Sequence, residues 1–329
     1  MKLQVYRTNA SSYQNSTFLS KEQRILEEIE GVKYIQSLKE MNKDTPFVLI
    51  TNTHTRPENI SQSVLDNTVL MIHPNSGHDN FNADFVKSAK FPIVLGNPIR
   101  ANAVVEYTLS CLFHHFTKIP HHYHWNEERK WNRSLLRDQK VLILGHGHIG
   151  KILNQSLSPL CREVKVYDPF EEKNDLNSQI ITDWDPTIFE GVSILLIAAN
   201  LNPTSYQLID KNILNMLAQE NIIINPARGE IIKEIDLIHY LQKNNKSTCF
   251  LDVFDKEPFT PGYLNEITSL NKTSHIAGVF DKLNHDIVAF EYLIIKDFLQ
   301  SYNDDNLPDF QYGYQECLLT EQEYQKSEG

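Results

Sequence analysis

Apolar and polar positions along this chain fall into two alternating patterns, short strand-like runs and helix-spaced stripes. In the N-terminal third the strand-like runs are Leu3–Tyr6, Phe47–Thr51, Val69–His73 and Pro92–Leu95. Between them Ser20–Ile29 predicts a helix, with Ser20 as its N-cap and Gln23 three residues on, and a second helical piece is expected near Ala83–Ala89. Arg100–Thr117 predicts a long, largely apolar helix. From Gln139 the alternation becomes regular. Strands are expected at Lys140–Leu144, Val164–Tyr167, Gln179–Ile181, Val192–Ala199, Asn221–Asn225 and Thr248–Val253, with a last short one near Thr273. Helices are expected at Ile149–Leu160, Lys211–Ala218 and Ile235–Lys243, and Asp286–Leu299 reads as a final amphipathic helix. Ser193–Ala199 is apolar on both faces, as a strand in a sheet covered by helices must be. Strands alternating with helices imply the α/β class, with a doubly wound parallel sheet from Gln139 onward.

Composition narrows the partners. A chain of 329 residues can build two cores. A formal net charge of −11, with no basic stripe to offset it, argues against nucleic acid and anionic membranes. The four cysteines, Cys111, Cys161, Cys249 and Cys317, lie far apart and form no Cys-x-x-Cys pair, so they read as isolated thiols of a reducing compartment. The start lacks the apolar stretch of a signal peptide, and no apolar run approaches membrane-spanning length, so a cytoplasmic protein is expected. His114, His115, His121, His122 and His124 cluster around Pro120, but their spacing matches no ligand motif and no metal is expected. Tyr123, Trp125 and Trp131 are expected to pack between domains or subunits.

Gly145-x-Gly147-x-x-Gly150 is a weak motif alone, but here it follows a strand and opens a helix. Gly145 permits the tight turn, Gly147 the approach of a pyrophosphate, and Gly150 close helix–strand packing. The N–H groups at the helix start, around His148 and Ile149, then face phosphate oxygens. Asp168, at the end of the next strand and about twenty residues on, suits the ribose hydroxyls of NAD and repels the extra phosphate of NADP. A connecting turn with a solvated acid is the plainer alternative, and strand, turn, helix and acid together outweigh it. His146 and His148 are expected on the surface or the pocket wall, without a catalytic role.

Three polar residues each stand just past a strand-like run: Arg228, Glu257 and His275. Open parallel sheets bind ligands at the carboxyl ends of their strands. Hydride transfer to a carbonyl requires a held substrate, a polarised carbonyl and a proton for the alkoxide. The planar fork of Arg228 suits the first two tasks and the imidazole of His275 the third. Glu257, if bonded to His275, would favour the imidazolium. A surface ion pair and a core histidine would explain any one of these residues, but not all three at successive strand ends.

The same residues carry a resemblance. Leu144–Gly150, Val166–Pro169, Ile224–Gly229, Asp252–Pro258 and His275–Gly278 resemble the D-isomer-specific 2-hydroxyacid dehydrogenases, which include phosphoglycerate dehydrogenase and glyoxylate/hydroxypyruvate reductase. A weaker match runs upstream through Ser76–Asp79 and Asn97–Tyr107, so it covers nearly the whole chain. The resemblance implies a Rossmann-type NAD domain at 100–285 and a smaller flavodoxin-like α/β substrate domain, discontinuous, at 1–99 and 286–329. It further implies that Arg228, Glu257 and His275 are catalytic, that Ala227 and Asp252 meet the cofactor, and that N–H groups at Ser76 and Gly77 hold the substrate carboxylate together with Arg228. A homodimer with Arg100–Thr117 in its interface is also implied. The chain departs from the family pattern at Ser274, where proline usually precedes the histidine, and at Pro226 and Asn202. The function expected is an NAD-dependent oxidoreductase acting on CH–OH, which moves a hydride between nicotinamide and C2 of a small 2-oxo or D-2-hydroxy acid. The alternative is a non-catalytic NAD(H)-binding, corepressor-like interaction protein.

Overall fold

The computed structural model describes residues 2–11, 14–116, 125, 127, 131, 133–171, 179–304 and 306–320. These form two compact units, one drawing on the chain up to Arg100 and from Val279 on, the other on Ala101–Gly278.

The first unit holds a five-stranded, all-parallel sheet of β1 (Leu3–Arg7), β2 (Val32–Tyr34), β3 (Phe47–Ile50), β4 (Thr68–His73) and β5 (Ile93–Leu95), in the order β2-β1-β3-β4-β5. Side chains alternate across a strand, so Val48 and Ile50 face one core and Phe47 and Leu49 another. The first core is closed by Ile294, Ile295 and Phe298 of the long C-terminal helix, and the second by Val64, Phe81 and Val86. This two-sided burial explains why β3 (FVLI) and β5 (IVL) carry no polar residue. The order 2-1-3-4-5 is that of flavodoxin-like sheets, with its switch point between β1 and β3.

The second unit holds a seven-stranded parallel sheet. Its strands are β6 (Lys140–Leu144), β7 (Glu163–Tyr167), β8 (Ile180–Ile181), β9 (Ile194–Ile197), β10 (Ile222–Asn225), β11 (Thr248–Leu251) and β12 (Leu270–Lys272), in the order β12-β11-β10-β9-β6-β7-β8. Leu142, Leu195, Ile223 and Leu251 share one core, while Ile143, Leu196, Ile224 and Phe250 share the opposite one. The order reverses between β6 and β9, which makes the carboxyl ends of those strands the place for a dinucleotide.

Nine α-helices are described: α1 (Ser16–Leu26), α2 (Gln62–Leu65), α3 (Ala83–Ser88), α4 (Asn97–Phe116), α5 (His148–Leu157), α6 (Lys211–Met216), α7 (Glu234–Lys243), α8 (Leu283–Asn303) and α9 (Leu307–Gly313). The expected start of the first helix is corrected. Ser20 is not its cap, because Asn15 Oδ1 accepts from Phe18 N at 3.0 Å and the helix begins at Ser16. Ser20 sits in the second turn and donates to Ser16 O at 2.9 Å. Beyond α8 the chain forms α9, which seats Phe310 on Phe298, and Leu318 bridges to Val94. Among the described residues no helix is long and apolar enough to cross a membrane. His121, His122, Tyr123 and His124 lie outside the described residues. Of the neighbours named with them, His114 sits edge-on to Phe250, and Trp131 lies under the Arg133 guanidinium at 3.9 Å.

Candidate active site

In the second unit the glycine turn leaves β6 and enters α5 at His148. Gly145 has φ 95°, and a Cβ there would meet the Ala198 backbone at 2.8 Å. A Cβ on Gly150 would lie 2.0 Å from Gly145 O, so helix and strand need glycine on both sides of that contact. Gly147 differs in kind, because nothing lies within 4 Å of a Cβ built there. Its missing side chain therefore opens space, as an approaching pyrophosphate requires. Gly147, at the N-cap of α5, makes no side-chain cap hydrogen bond, so it leaves the first-turn N–H groups of Ile149 and Gly150 without a cap of its own.

Asp168 follows β7. One carboxyl oxygen accepts from His146 N (2.7 Å) and the other from Phe170 N (3.0 Å), which ties the acid to the glycine turn and leaves lone pairs for ribose hydroxyls. His146 in turn holds Glu171 through Nδ1, at 2.8 Å. Open space at Gly147, an uncapped helix start and an anchored acid fit a dinucleotide.

Arg228, Glu257 and His275 follow β10, β11 and β12 in that order, on adjacent strands. Arg228 leaves β10 through a turn that Asn225 builds. The Asn225 side chain, fully buried, accepts from Ala227 N (3.0 Å) and donates to Arg228 O (2.8 Å). The guanidinium bonds back to Ala227 O at 2.8 Å. Gly229 lets this turn press against Phe254, since a Cβ would fall 2.1 Å from its carbonyl carbon. Pro226, the unusual residue here, is buried in the same turn.

Glu257 accepts from Phe254 N at 3.0 Å with one oxygen and meets His275 Nδ1 at 2.7 Å with the other. Partial burial works to raise its pKa. The bonds from His275 and Phe254 N and the charges of His275 and Arg228 outweigh that, and the carboxyl lies below its ordinary value. A carboxylate can only accept, so Nδ1 carries a proton and exchange falls to Nε2. The His275 side chain is 52 % exposed, which leaves that edge of the ring reachable.

His275 has φ 56°, in the left-handed region that non-glycine residues avoid. Asp252, fully buried, holds it there. Its carbonyl accepts from His275 N (2.8 Å), one carboxyl oxygen from Thr273 Oγ1 (2.6 Å) and Ile276 N (2.8 Å), and the other from Ala277 N (2.8 Å). Tyr107 of α4 extends the chain by bonding Thr273 Oγ1 at 2.7 Å. Asn225, Thr273 and Tyr107 are site residues whose roles here no motif of the sequence gives. The "Asn-Pro-Ala-Arg" run was the available signal for Asn225, and nothing local marked Tyr107.

In the first unit, Ser76 and Gly77 lie in the loop after β4. Their backbone N–H groups donate to no acceptor among the described residues, whereas Asn75 N is used by His73 O at 2.7 Å. Two successive free N–H groups make a concavity suited to an anion.

The profile of the D-isomer specific 2-hydroxyacid dehydrogenase NAD binding domain matches residues 109–277, more than half of the chain. The chain is 30% identical over 207 residues to the erythronate-4-phosphate dehydrogenase of Blochmanniella floridana, covering 62% of this chain and 52% of that protein. It is 26% identical over 223 residues to the (S)-sulfolactate dehydrogenase of Chromohalobacter salexigens, covering 64% of this chain and 71% of that one. The chain spans about half the length of the erythronate-4-phosphate dehydrogenases it matches. Its fold is similar to that of the NAD+-bound 3-phosphoglycerate dehydrogenase of Entamoeba histolytica, with TM-score 0.66 at 18% identity over 91% of this chain and 96% of that one. These relatives carry the names of dehydrogenases, and the corepressor-like alternative finds no support in them. The match to the NAD binding domain, on the strands that carry the glycine turn and the three polar strand ends, means that this chain belongs to the D-isomer specific 2-hydroxyacid dehydrogenase family.

Proposed function

We propose that the protein interconverts a small 2-oxo acid and its D-2-hydroxy acid with NAD(H). The observation that carries this reading is the 2.7 Å contact between His275 Nδ1 and Glu257, with the ring's other edge open. Bound NADH would supply the hydride to substrate C2. Around it, the residues divide the work. Gly145, Gly147 and Gly150, with the N–H groups of His148 and Ile149, hold the pyrophosphate, and Asp168 the ribose. Ala227 and Asp252 flank the nicotinamide. Arg228 offers its donor fork to the carboxylate and carbonyl of the substrate, and within the first unit the successive N–H groups of Ser76 and Gly77 suit a carboxylate. In reduction, His275 gives its Nε2 proton to the alkoxide oxygen, and Glu257 offsets the ring's positive charge until then. In oxidation, neutral Nε2 takes the hydroxyl proton.

The substrate we favour carries a second polar or anionic group. Asn52, Thr55, His54 and Arg56 follow β3 at the sheet edge of the first unit, and the last two are exposed. The relatives' names, with a phosphate in one and a sulfo group in the other, support the same class. A homodimer is part of this proposal, and light scattering reads it. NADH consumption against glyoxylate, pyruvate, hydroxypyruvate and phosphorylated or sulfonated 2-oxo acids tests the function, with NADPH in parallel. Turnover should be found on at least one of them and should fall about a hundred- to ten-thousand-fold in His275→Ala. Normal turnover in that variant would remove His275 from the proton-transfer role.

A further inference from the structure

His73 closes β4 at the carboxyl edge of the first unit's sheet, and both it and Thr51, just past the neighbouring strand β3, are fully buried. Histidines at such depth need both ring nitrogens satisfied. Here Nε2 lies 3.0 Å from the Gly77 carbonyl and Nδ1 lies 2.8 Å from Thr51 Oγ1. The carbonyl can only accept, so Nε2 carries the proton, Nδ1 is bare and the Thr51 hydroxyl donates to it. Phe81 stands edge-on to the ring with centroids 4.9 Å apart, which fixes its plane. Burial lowers the imidazole pKa to about 3, so the ring stays neutral, and this tautomer persists, at any working pH.

The loop that this ring reaches is the one whose Ser76 and Gly77 N–H groups are free. Its start is pinned by the same residue, because the His73 carbonyl accepts from both Asn75 N and Gly96 N at 2.7 Å. Arg100 Nη1 holds Pro74 O at 2.6 Å, and Asn80 Nδ2 holds Thr55 O at 2.8 Å at the far end. Between these anchors the Gly77 carbonyl has the imidazole as its partner. Released from Nε2, that oxygen would be free to turn toward a bound anion and repel it.

We propose that His73 is a positioning residue for the substrate carboxylate, fixing the Gly77 carbonyl so that the adjacent N–H groups of Ser76 and Gly77 remain available to the anion. The inference rests on the substrate-loop reading above. It also separates two ring positions, because glutamine reproduces the Nε2 donor and asparagine the Nδ1 position.

His73→Gln, His73→Asn and Gly77→Pro test it, the last removing one of the N–H groups. KM and kcat are measured for the 2-oxo acid turned over fastest, with the NADH Kd from fluorescence. His73→Asn should raise KM at least tenfold with kcat within threefold and the NADH Kd unchanged, and His73→Gln should stay within threefold of the wild-type KM. Both His73 variants share the cost of losing a buried ring, so equal KM values in the two, high or normal, would overturn the role of His73. Gly77→Pro should raise KM. If His73→Asn and His73→Gln match while Gly77→Pro raises KM, only the His73 inference falls. If Gly77→Pro leaves KM unchanged, the loop reading itself falls.

Discussion

Asp252→Asn isolates the part the Asp252 carboxyl plays at His275. The carboxyl accepts three hydrogen bonds and donates none, two on one oxygen from Thr273 Oγ1 and Ile276 N, and one on the other from Ala277 N. An amide can satisfy only one side. Its best orientation keeps the oxygen toward the two donors and turns the NH2 toward the buried Ala277 N–H. Leaving that donor unmade costs about 1–3 kcal/mol. The left-handed conformation of His275 itself costs about 1–2 kcal/mol, which these bonds offset in the native turn. The two quantities are of the same size, so the turn is expected to relax and the aligned histidine to become the minor state. At roughly 1.4 kcal/mol per tenfold, kcat should fall about 5- to 150-fold. The assay is steady-state reduction at saturating NADH, with the NADH Kd measured separately. A variant with wild-type kcat, or one whose whole loss lies in the NADH Kd, would refute the turn-holding argument, the second outcome leaving a cofactor contact as the residue's only part.

Three further outcomes are expected. Ser274→Pro should keep kcat within about threefold and add about 0.4–1 kcal/mol to stability in urea unfolding, because the Ser274 N–H makes no hydrogen bond among the described residues and its φ is not positive. Lower stability or lost activity would show a strained prolyl site. Asp168→Ala should reduce the preference for NADH over NADPH at least about tenfold, roughly 1.4 kcal/mol of discrimination, and also weaken NADH binding because His146 N loses its acceptor. An unchanged ratio of the two KM values would reject the ribose role. In the first unit, Arg7 bonds Glu22 at 2.5–3.0 Å and also pairs with Glu291, and all three are buried. Burial outweighs Arg7 and raises the Glu291 carboxyl well above its ordinary value. A raised folded-state pKa contributes stability that is full below the ordinary carboxyl range and is lost as pH rises through the raised value. Urea unfolding across that window should therefore show a falling stability that Glu291→Gln flattens, while Arg7→Met should cost about 3–5 kcal/mol by leaving the carboxyls unpaired. An identical slope in wild type and Glu291→Gln would remove Glu291 from the pH dependence.

What the sequence made legible was whatever repeats locally. The parallel strands could be read because two-sided burial leaves runs such as Ile194–Ile197 without a polar residue. Arg228, Glu257 and His275 stood out because a parallel sheet delivers every strand end to one edge. The three-residue β2 escaped because Val32-Lys-Tyr34 is too short to show a period. Ser20 and Gln23 satisfied a capping pattern, yet Asn15 captured the Phe18 N–H first, and a pattern match cannot rank two competing caps. His73 and Tyr107 were invisible for a different reason. Tyr107 and Thr273 are 166 positions apart and His73 and Thr51 are 22, so each owes its part to a contact that only the folded sheet creates.

The Ser274 departure has its compensation in the turn that holds His275. A proline before the histidine would restrict the backbone through its ring alone. In this chain the turn is restricted from the other side, because Asp252 binds the N–H groups of residues 275, 276 and 277 in succession and takes the Thr273 hydroxyl as well. Asp252 is itself buried and Thr273 is braced by Tyr107, so the restraint runs from α4 through β11 to the turn that follows β12. A serine is then sufficient at 274, because the left-handed angle at His275 is set by acceptors of fixed position and not by the residue before it. The same fixity directs the Nδ1 edge of the ring to Glu257 and leaves Nε2 as the edge available for proton exchange. Asp252 and Glu257, both from the segment after β11, thus fix the backbone and the ring of His275 separately.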